Sequence, residues 1–354
     1  MASSRSNQAS NYLPSAPTAL KYPYICRAIN WRSAAGFSVA NAGIALNDQL
    51  YHLTDSMIYS FHMPLFFFLS GLYFQSSVER HGRWSLITDK LRTIVYPYVV
   101  WSLLQGSTEV LLSRYTTAKT GWADVLAMGW QPRAQFWFLY VLFLLFVLLT
   151  LLYRKHTRWL TVMLSLASAG WIAQQFIQIP FPLDFIASYA FYFLAGSAWM
   201  RWQRQGSSAL PPTFTGIGIL CISLALSGVY HIIWGFNYQS RSLWLMPIAL
   251  SAITGICLVC QRWCLSQNAW LQKAGAAIAW CGRYSMPVFL LHILTGSGVR
   301  IFLLKVLHIS DPAIHIAAGC VAGVVIPVLI YRLQELPVLQ RLSLLFQWPR
   351  KQAN

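Results

Sequence analysis

The sequence predicts an all-α fold: a polytopic integral membrane helical bundle with about nine transmembrane helices. Hydrophobic residues make up 56% of the 354 residues and charged residues only 10%, and the mean hydropathy is +0.50. A soluble domain of this size would not have that balance. Apolar runs of about 20 residues, the length that crosses a bilayer, also recur along the chain. We therefore expect a multi-pass membrane protein.

Nine apolar segments are predicted to span the membrane, and no linker or internal repeat divides them. Their approximate bounds are 56–74, 93–112, 135–153, 160–178, 184–200, 213–233, 243–260, 284–304 and 313–331. The run from Phe136 to Thr150 is the least ambiguous, because only a helix satisfies the backbone polar groups of such a segment in lipid. We expect an N-terminal segment over 1–55, one membrane domain over 56–331 and a short basic tail over 332–354.

The basic residues predict the orientation of the spans. Sixteen Lys and Arg residues lie in the connections after the odd-numbered spans or in the tail, against five in the alternate connections. Because Lys and Arg collect in cytoplasmic loops, the first span is predicted to run inward and the C-terminus to be cytoplasmic. The net charge of +17 then reflects basic cytoplasmic loops rather than a nucleic-acid partner, which we exclude.

The N-terminal segment fits this topology poorly. Residues 1–55 would lie outside, yet they contain four Lys and Arg residues and have no signal peptide of the usual order. Their best apolar stretch, Ser33 to Leu46, is too short to span the membrane. The first twenty residues are rich in Ser, Asn, Pro and Ala and are predicted to be disordered.

Two histidines lie inside predicted spans. His62 is the one ionisable residue of the apolar run Ser60–Tyr73, and His292 lies near the middle of its own span. An ionisable group at membrane depth is a functional candidate, and a neutral imidazole is a suitable base near neutral pH. The alternative is a core histidine that is hydrogen-bonded to a neighbouring helix, for His62 beside the break made by Pro64.

Three cations near the membrane also allow two interpretations. Arg300 follows His292 by eight residues, within about 80° on the helical wheel, and it either pairs with an anion or extends to the interface. Lys90 and Arg92 lie at the cytoplasmic end of the second span. There they either hold phosphate groups or anchor the helix as ordinary positive-inside residues.

Five short motifs occur in the order that is seen in one known family. They are Ser60–Gly71, Lys90–Tyr98 with Trp101, Phe136–Leu139, Phe191–Gly196, and Gly282–Ser285 with Leu291 and His292. Over roughly residues 41–331 the chain resembles the membrane-bound acyltransferase 3 family. It is most similar to the branch of fucose 4-O-acetylases and surface-polysaccharide O-acetyltransferases.

The resemblance implies an enzyme of the bacterial inner membrane. Such an enzyme transfers acetyl from cytoplasmic acetyl-CoA to a hydroxyl of a cell-surface or exported glycan, or of a lipid-linked sugar. Acetyl-CoA is then a substrate, membrane lipids surround the chain, and we expect no metal and no bound cofactor. The residues implied are His62 and His292 for catalysis, Lys90 and Arg92 for the CoA phosphates, and Trp137 and Arg300 for the acceptor.

The resemblance also exposes a departure at the N-terminus. The family usually has ten spans, with a catalytic histidine on the first, and no position here matches that histidine. The first helix is therefore predicted to be lacking, in agreement with the charge bias. Two other functions stay open: a catalytically disabled family member, and a transporter or flippase of glycan intermediates, which inverted repeats and broken helices would favour.

Overall fold

The computed structural model describes residues 48–111, 121–156, 158–205, 212–235 and 242–348. These residues form helices, turns and irregular connections, with no strand among them. Three predictions concern residues outside the described ranges: the loss of the first span, the short apolar stretch Ser33–Leu46 and the disorder of the first twenty residues.

Helices occupy all nine positions where spans are predicted. The long helices are α1 (Asp48–Gly71), α4 (Tyr96–Leu111), α6 (Trp137–Leu152), α7 (Trp159–Ala173), α8 (Leu183–Arg204), α9 (Thr213–Trp234), α10 (Leu245–Leu265), α12 (Ser285–Lys305) and α13 (Pro312–Leu333). The other helices are α2 (Phe74–His81), α3 (Arg83–Lys90), α5 (Trp122–Leu126) and α11 (Ala269–Arg283), with a π-helical turn at Leu91–Val95 and 3-10 turns at Ala127–Gly129, Ala134–Phe136 and Pro337–Leu345. The all-α membrane bundle is confirmed.

Six helical stretches of the described chain are long and apolar enough to cross a membrane. They are Leu53–His81, Trp122–Leu152, Thr213–Trp234, Leu245–Leu265, Ser285–Lys305 and Pro312–Leu333. Helix α7 is apolar but shorter, and α4 has only 16 residues of its own. The second predicted span differs from the expectation because its helix begins earlier, at Arg83, and reaches α4 through a charged first part.

A π-helical turn joins α3 to α4. Pro97 has no backbone N–H, and in a regular helix its ring would crowd the carbonyl four residues back. The turn before it is wider, with the N–H of Tyr96 donating to the carbonyl of Leu91. This i to i−5 bond is the mark of a π-turn. The helical path therefore continues past the proline.

Helices α1 and α8 run parallel and pack backbone to backbone at the centre of the fold. A Cβ on Gly71 would lie 1.8 Å from the carbonyl oxygen of Phe193, and a Cβ on Gly196 would lie 2.0 Å from that of Phe68. The hydroxyl of Ser197 donates to the carbonyl of Gly71 at 2.7 Å. Small residues allow this close approach between membrane helices, so this crossing requires glycine in both helices.

Four of the other long helices form two closely packed pairs. Helices α9 and α10 pack closely on each other and on α1, with a hydrogen bond of 2.7 Å between the hydroxyls of Ser223 and Ser251. Helices α12 and α13 form another closely packed pair. Its contact with α6 includes the rings of Phe138 and Phe289, whose centroids are 5.5 Å apart.

Residues 337–348, which we call the C-terminal strap, pack against α4 and α13. The Tyr96 hydroxyl donates to the carbonyl of Leu344 at 2.6 Å, and the Trp101 indole donates to that of Leu345 at 2.7 Å. Phe346 is 5% exposed and contacts the rings of Trp101 and Tyr331. This part of the predicted basic tail therefore belongs to the folded bundle.

Candidate functional site

His62 and His292 have the same local hydrogen bond. The Nδ1 of His62 lies 3.1 Å from the carbonyl oxygen of Ile58, and that of His292 lies 3.0 Å from the carbonyl oxygen of Val288. A carbonyl oxygen can only accept, so each Nδ1 carries the proton and donates it. In a neutral imidazole, Nε2 is then the basic nitrogen. Both histidines are thus in the tautomer that leaves Nε2 able to take a proton.

A chain of aromatic contacts connects the two histidines. The ring of Phe66 lies 6.2 Å from that of His62 and 5.4 Å from that of Phe138. Phe289 in turn lies 5.5 Å from Phe138 and 6.1 Å from His292. Both imidazoles thus lie against one cluster of phenylalanine rings, contributed by α1, α6 and α12. The fold therefore brings together two histidines that are far apart in the sequence.

His62 is 7% exposed, and its ring meets that of Tyr59 edge-on at 5.0 Å. The hydrogen bond of its Nδ1 goes to its own helix. Nδ1 therefore does not bond to a neighbouring helix, as the interpretation of His62 as a core histidine would require. The contact of a second, half-buried imidazole with the same aromatic cluster favours the functional interpretation.

Trp137 lies beside this pair but on another face of α6. Its ring is 4.7 Å from that of Phe185 and 5.6 Å from that of Tyr189, both in α8. The ring of Tyr189 stacks on Phe67 of α1 at 4.4 Å. Trp137, Phe185 and Tyr189 therefore form an aromatic wall, and Trp137 precedes Phe138 of the histidine cluster in the sequence.

Arg300 lies on the same helix as His292, eight residues further on, which is about 12 Å along the axis. Its side chain is half-buried, and its Nη1 is buried without a hydrogen-bond partner in the described part of the protein. Nη1 can therefore donate a hydrogen bond to an anionic or polar group. The position of Arg300 is compatible both with pairing to an anion and with extension to the membrane interface.

Lys90 and Arg92 do not contact the histidines. The Lys90 amine lies 3.3 Å from the carboxylate of Asp89 and 4.9 Å from the centre of the Phe146 ring in α6. Arg92 is exposed, one residue into the π-helical turn. Of the two, Arg92 has its charged group more open to an incoming phosphate.

A polar network that is not among the predicted sites joins α4 to the segment before α6. The amide of Gln105 donates to Glu109 at 3.0 Å and accepts from the amide of Gln135 at 2.9 Å, and the Arg133 guanidinium lies 3.0 Å from the carboxylate of Glu109. Gln105 is 3% exposed. The available signal is the pair Gln105 and Glu109, four residues apart in an apolar span. The network ends two residues before Trp137.

A separate cavity of about 340 Å³ lies between α2, the turn after α6 and the end of α8. We call it the basic pocket. Its lining residues are Leu72, Gln75, Ser76, Glu79, Tyr153, Arg154, Lys155, His156, Ser197, Met200, Arg201, Arg204 and Gln205. Leu72 follows His62 by ten residues, about 15 Å along a helical path. The basic pocket is thus distinct from the histidine pair but close to it.

The fold and the site define a multi-pass helical membrane protein in which a buried imidazole, His62, and a half-buried one, His292, contact a shared aromatic cluster. A family model described as an acyltransferase domain matches residues 29–332. The chain therefore belongs to the acyltransferase 3 family and is a membrane acyltransferase. Neither a search of curated proteins nor one of solved structures found a match. The more specific branch, the lost first helix and the roles of the six site residues stay predictions.

Proposed function

We propose that the chain transfers acetyl from acetyl-CoA on the cytoplasmic side of the bacterial inner membrane to a hydroxyl of an exported or cell-surface glycan. Membership in the acyltransferase 3 family supports acyl transfer. The observation that carries the proposal is the pair His62 and His292, each with Nδ1 bound to its own helix and Nε2 left basic. Transfer to a hydroxyl requires a base of this kind.

In the proposed reaction, Nε2 of His62 takes the proton of the acceptor hydroxyl as its oxygen attacks the thioester carbonyl. The new C–O bond forms and the C–S bond breaks, so that the sulfur leaves as a thiolate. The imidazolium then returns the proton to the sulfur, either directly or through His292. The products are an acetyl ester and CoA with a free thiol, and both histidines end neutral.

The other predicted residues have separate roles in this scheme. The wall of Trp137, Phe185 and Tyr189 offers aromatic faces on which a sugar ring can stack, and the buried Nη1 of Arg300 offers a donor to a polar or anionic group of the acceptor. Arg92, with Lys90 beside it, would bind phosphates of the acyl donor.

His62→Asn tests the base directly. The amide nitrogen of Asn can replace Nδ1 as the donor to the backbone, but Asn has nothing at the position of Nε2. Loss of general base catalysis typically lowers the rate by about 10²- to 10⁴-fold. We expect at least about a 100-fold loss of glycan O-acetyl esters, read by NMR on cells that otherwise lack them.

His81→Asn is the matched control. This exposed histidine has the same bond from Nδ1 to the backbone, to Ser77 at 3.2 Å, but it lies outside the aromatic cluster. Wild-type ester levels from His62→Asn would refute the assignment. A version with residues 1–40 replaced by a relative's first helix separates the alternatives: esters made only by that version would identify this chain as a disabled member.

A further inference from the structure

Cations from two separate segments converge on the basic pocket. Arg154 and Lys155 come from the turn after α6, and Arg201 and Arg204 come from the last turns of α8. Glu79 is the one carboxylate among the described residues that line the cavity. The lining therefore has a formal charge of about +3 with His156 neutral.

The spacing of the lining residues explains why the cations share one cavity. On α8, Ser197, Arg201 and Arg204 recur at the interval of one helical face. Opposite them, Gln75 and Glu79 lie four residues apart and present the same face of α2. Ordinary positive-inside residues need only be near the interface, whereas these four cations line one concave space.

The carboxylate in the pocket is already bound. The hydroxyl of Tyr153 donates to Glu79 at 2.5 Å, and the guanidinium of Arg83 donates to the carbonyl of Tyr153 at 2.5 Å. Burial, and then the hydrogen bond to Glu79, raise the pKa of Tyr153, so its hydroxyl keeps the proton that it donates. These bonds fix one wall of the pocket.

We propose that the basic pocket binds a phosphate-bearing anion. Guanidinium groups bind phosphate oxygens two at a time, and the serine and glutamine side chains of the lining add neutral hydrogen bonds. The volume, about 340 Å³, lies in the range of small-molecule sites, which is about 300–1,000 Å³. The site does not include Lys90 or Arg92.

The phosphate could come from the acyl donor or from a lipid headgroup. Basic pockets between membrane helices bind anionic headgroups. Acetyl-CoA carries its phosphates and its thioester at opposite ends of a flexible arm. The phosphates could therefore lie in the basic pocket while the thioester reaches His62, about 15 Å away. The assignment to the donor rests on the proposed function, whereas the assignment to phosphate does not.

The test uses the purified full chain in nanodiscs of neutral phosphatidylcholine. Binding of CoA, dephospho-CoA and pyrophosphate is measured by calorimetry, and retention of phosphatidylglycerol or cardiolipin is measured by native mass spectrometry. The variant is Arg201→Gln with Arg204→Gln. The matched control is Arg80→Gln with Arg158→Gln, which removes the same charge from exposed residues nearby that do not line the pocket. Arg154→Gln with Lys155→Gln, in an exposed turn, is a second variant for the case that the first misfolds.

We expect the pocket variants to weaken binding of a phosphate ligand about tenfold or more, and the control to change it less than about threefold. Weaker CoA binding identifies the donor, and loss of anionic lipid with unchanged CoA binding identifies a headgroup. Equal behaviour of pocket variants and control towards every probe would overturn the proposal, whether or not the chain makes acetyl esters. A chain that makes no esters but loses lipid in the pocket variants would refute the proposed function and not the pocket.

Discussion

Gly196→Ala should weaken the crossing of α1 and α8 on which the fold depends. The added Cβ would lie 2.0 Å from the carbonyl oxygen of Phe68, whereas Cβ contacts under 3.0 Å are essentially never seen in proteins. The helices must therefore separate by about 1 Å at this point. The hydrogen bond from Ser197 to Gly71, now 2.7 Å, would then stretch beyond a useful length.

The energetic cost has two parts. Overpacking a tight contact costs about 1–3 kcal/mol, and a lost hydrogen bond between membrane helices costs about 0.6 kcal/mol, up to about 1.7. The higher helix propensity of alanine returns up to about 1 kcal/mol. Gly298→Ala receives the same gain without the clash, because nothing lies within 4 Å of its added Cβ. The two variants should therefore differ in the free energy of unfolding by about 2–4 kcal/mol.

The assay is unfolding of the purified protein in mixed micelles with increasing denaturing detergent, followed by tryptophan fluorescence. We expect Gly298→Ala to match or slightly exceed the wild type and Gly196→Ala to unfold at clearly lower detergent. If the two alanine variants unfold together, the close contact between α1 and α8 does not exist as described.

Two further predictions concern stability. Gln105→Leu removes both hydrogen bonds of a side chain that is 3% exposed, so it should lower the free energy of unfolding by about 1–3 kcal/mol. The control Gln131→Leu, at an exposed side chain, should change the free energy of unfolding little, and equal stability of the two variants would show that the network contributes nothing. Phe346→Ala should release the C-terminal strap, because this ring anchors it to Trp101 and Tyr331, and trypsin should then cut at Arg341 at least several times faster. Val338→Ala, at a side chain that is 91% exposed, is the control, and equal cleavage of the two variants would contradict the anchoring role.

The positions of the helices could be predicted because hydropathy largely determines which segments of a chain span the membrane. The run from Phe136 to Thr150 can only be a spanning helix, and α6 contains all of it except Phe136. The early start at Arg83 could not be predicted, since Asp89, Lys90 and Arg92 make this part of the helix resemble a loop. The strap could not be predicted either, because its apolar residues, Phe346 among them, form a stretch too short to span a membrane and lie beside the basic residues of the tail.

The candidate site could be predicted only one residue at a time. An imidazole in an apolar run is conspicuous in the sequence, so His62 and His292 were both found. Their proximity depends on how α1, α6 and α12 pack, which no local pattern encodes. The same holds for the basic pocket, because Arg154 and Arg201 look like ordinary loop cations until the fold brings them together.

The most direct test of the central claim is acceptor-dependent release of CoA thiol from acetyl-CoA by the purified chain, compared among the wild type and the Asn variants of His62, His292 and His81. We predict thiol release by the wild type and by His81→Asn, at least about a 100-fold loss in His62→Asn, and a smaller loss in His292→Asn, because His292 is only one of two routes by which the proton returns to the sulfur. Undiminished release by His62→Asn and His292→Asn would contradict the claim that this pair of imidazoles performs the acyl transfer.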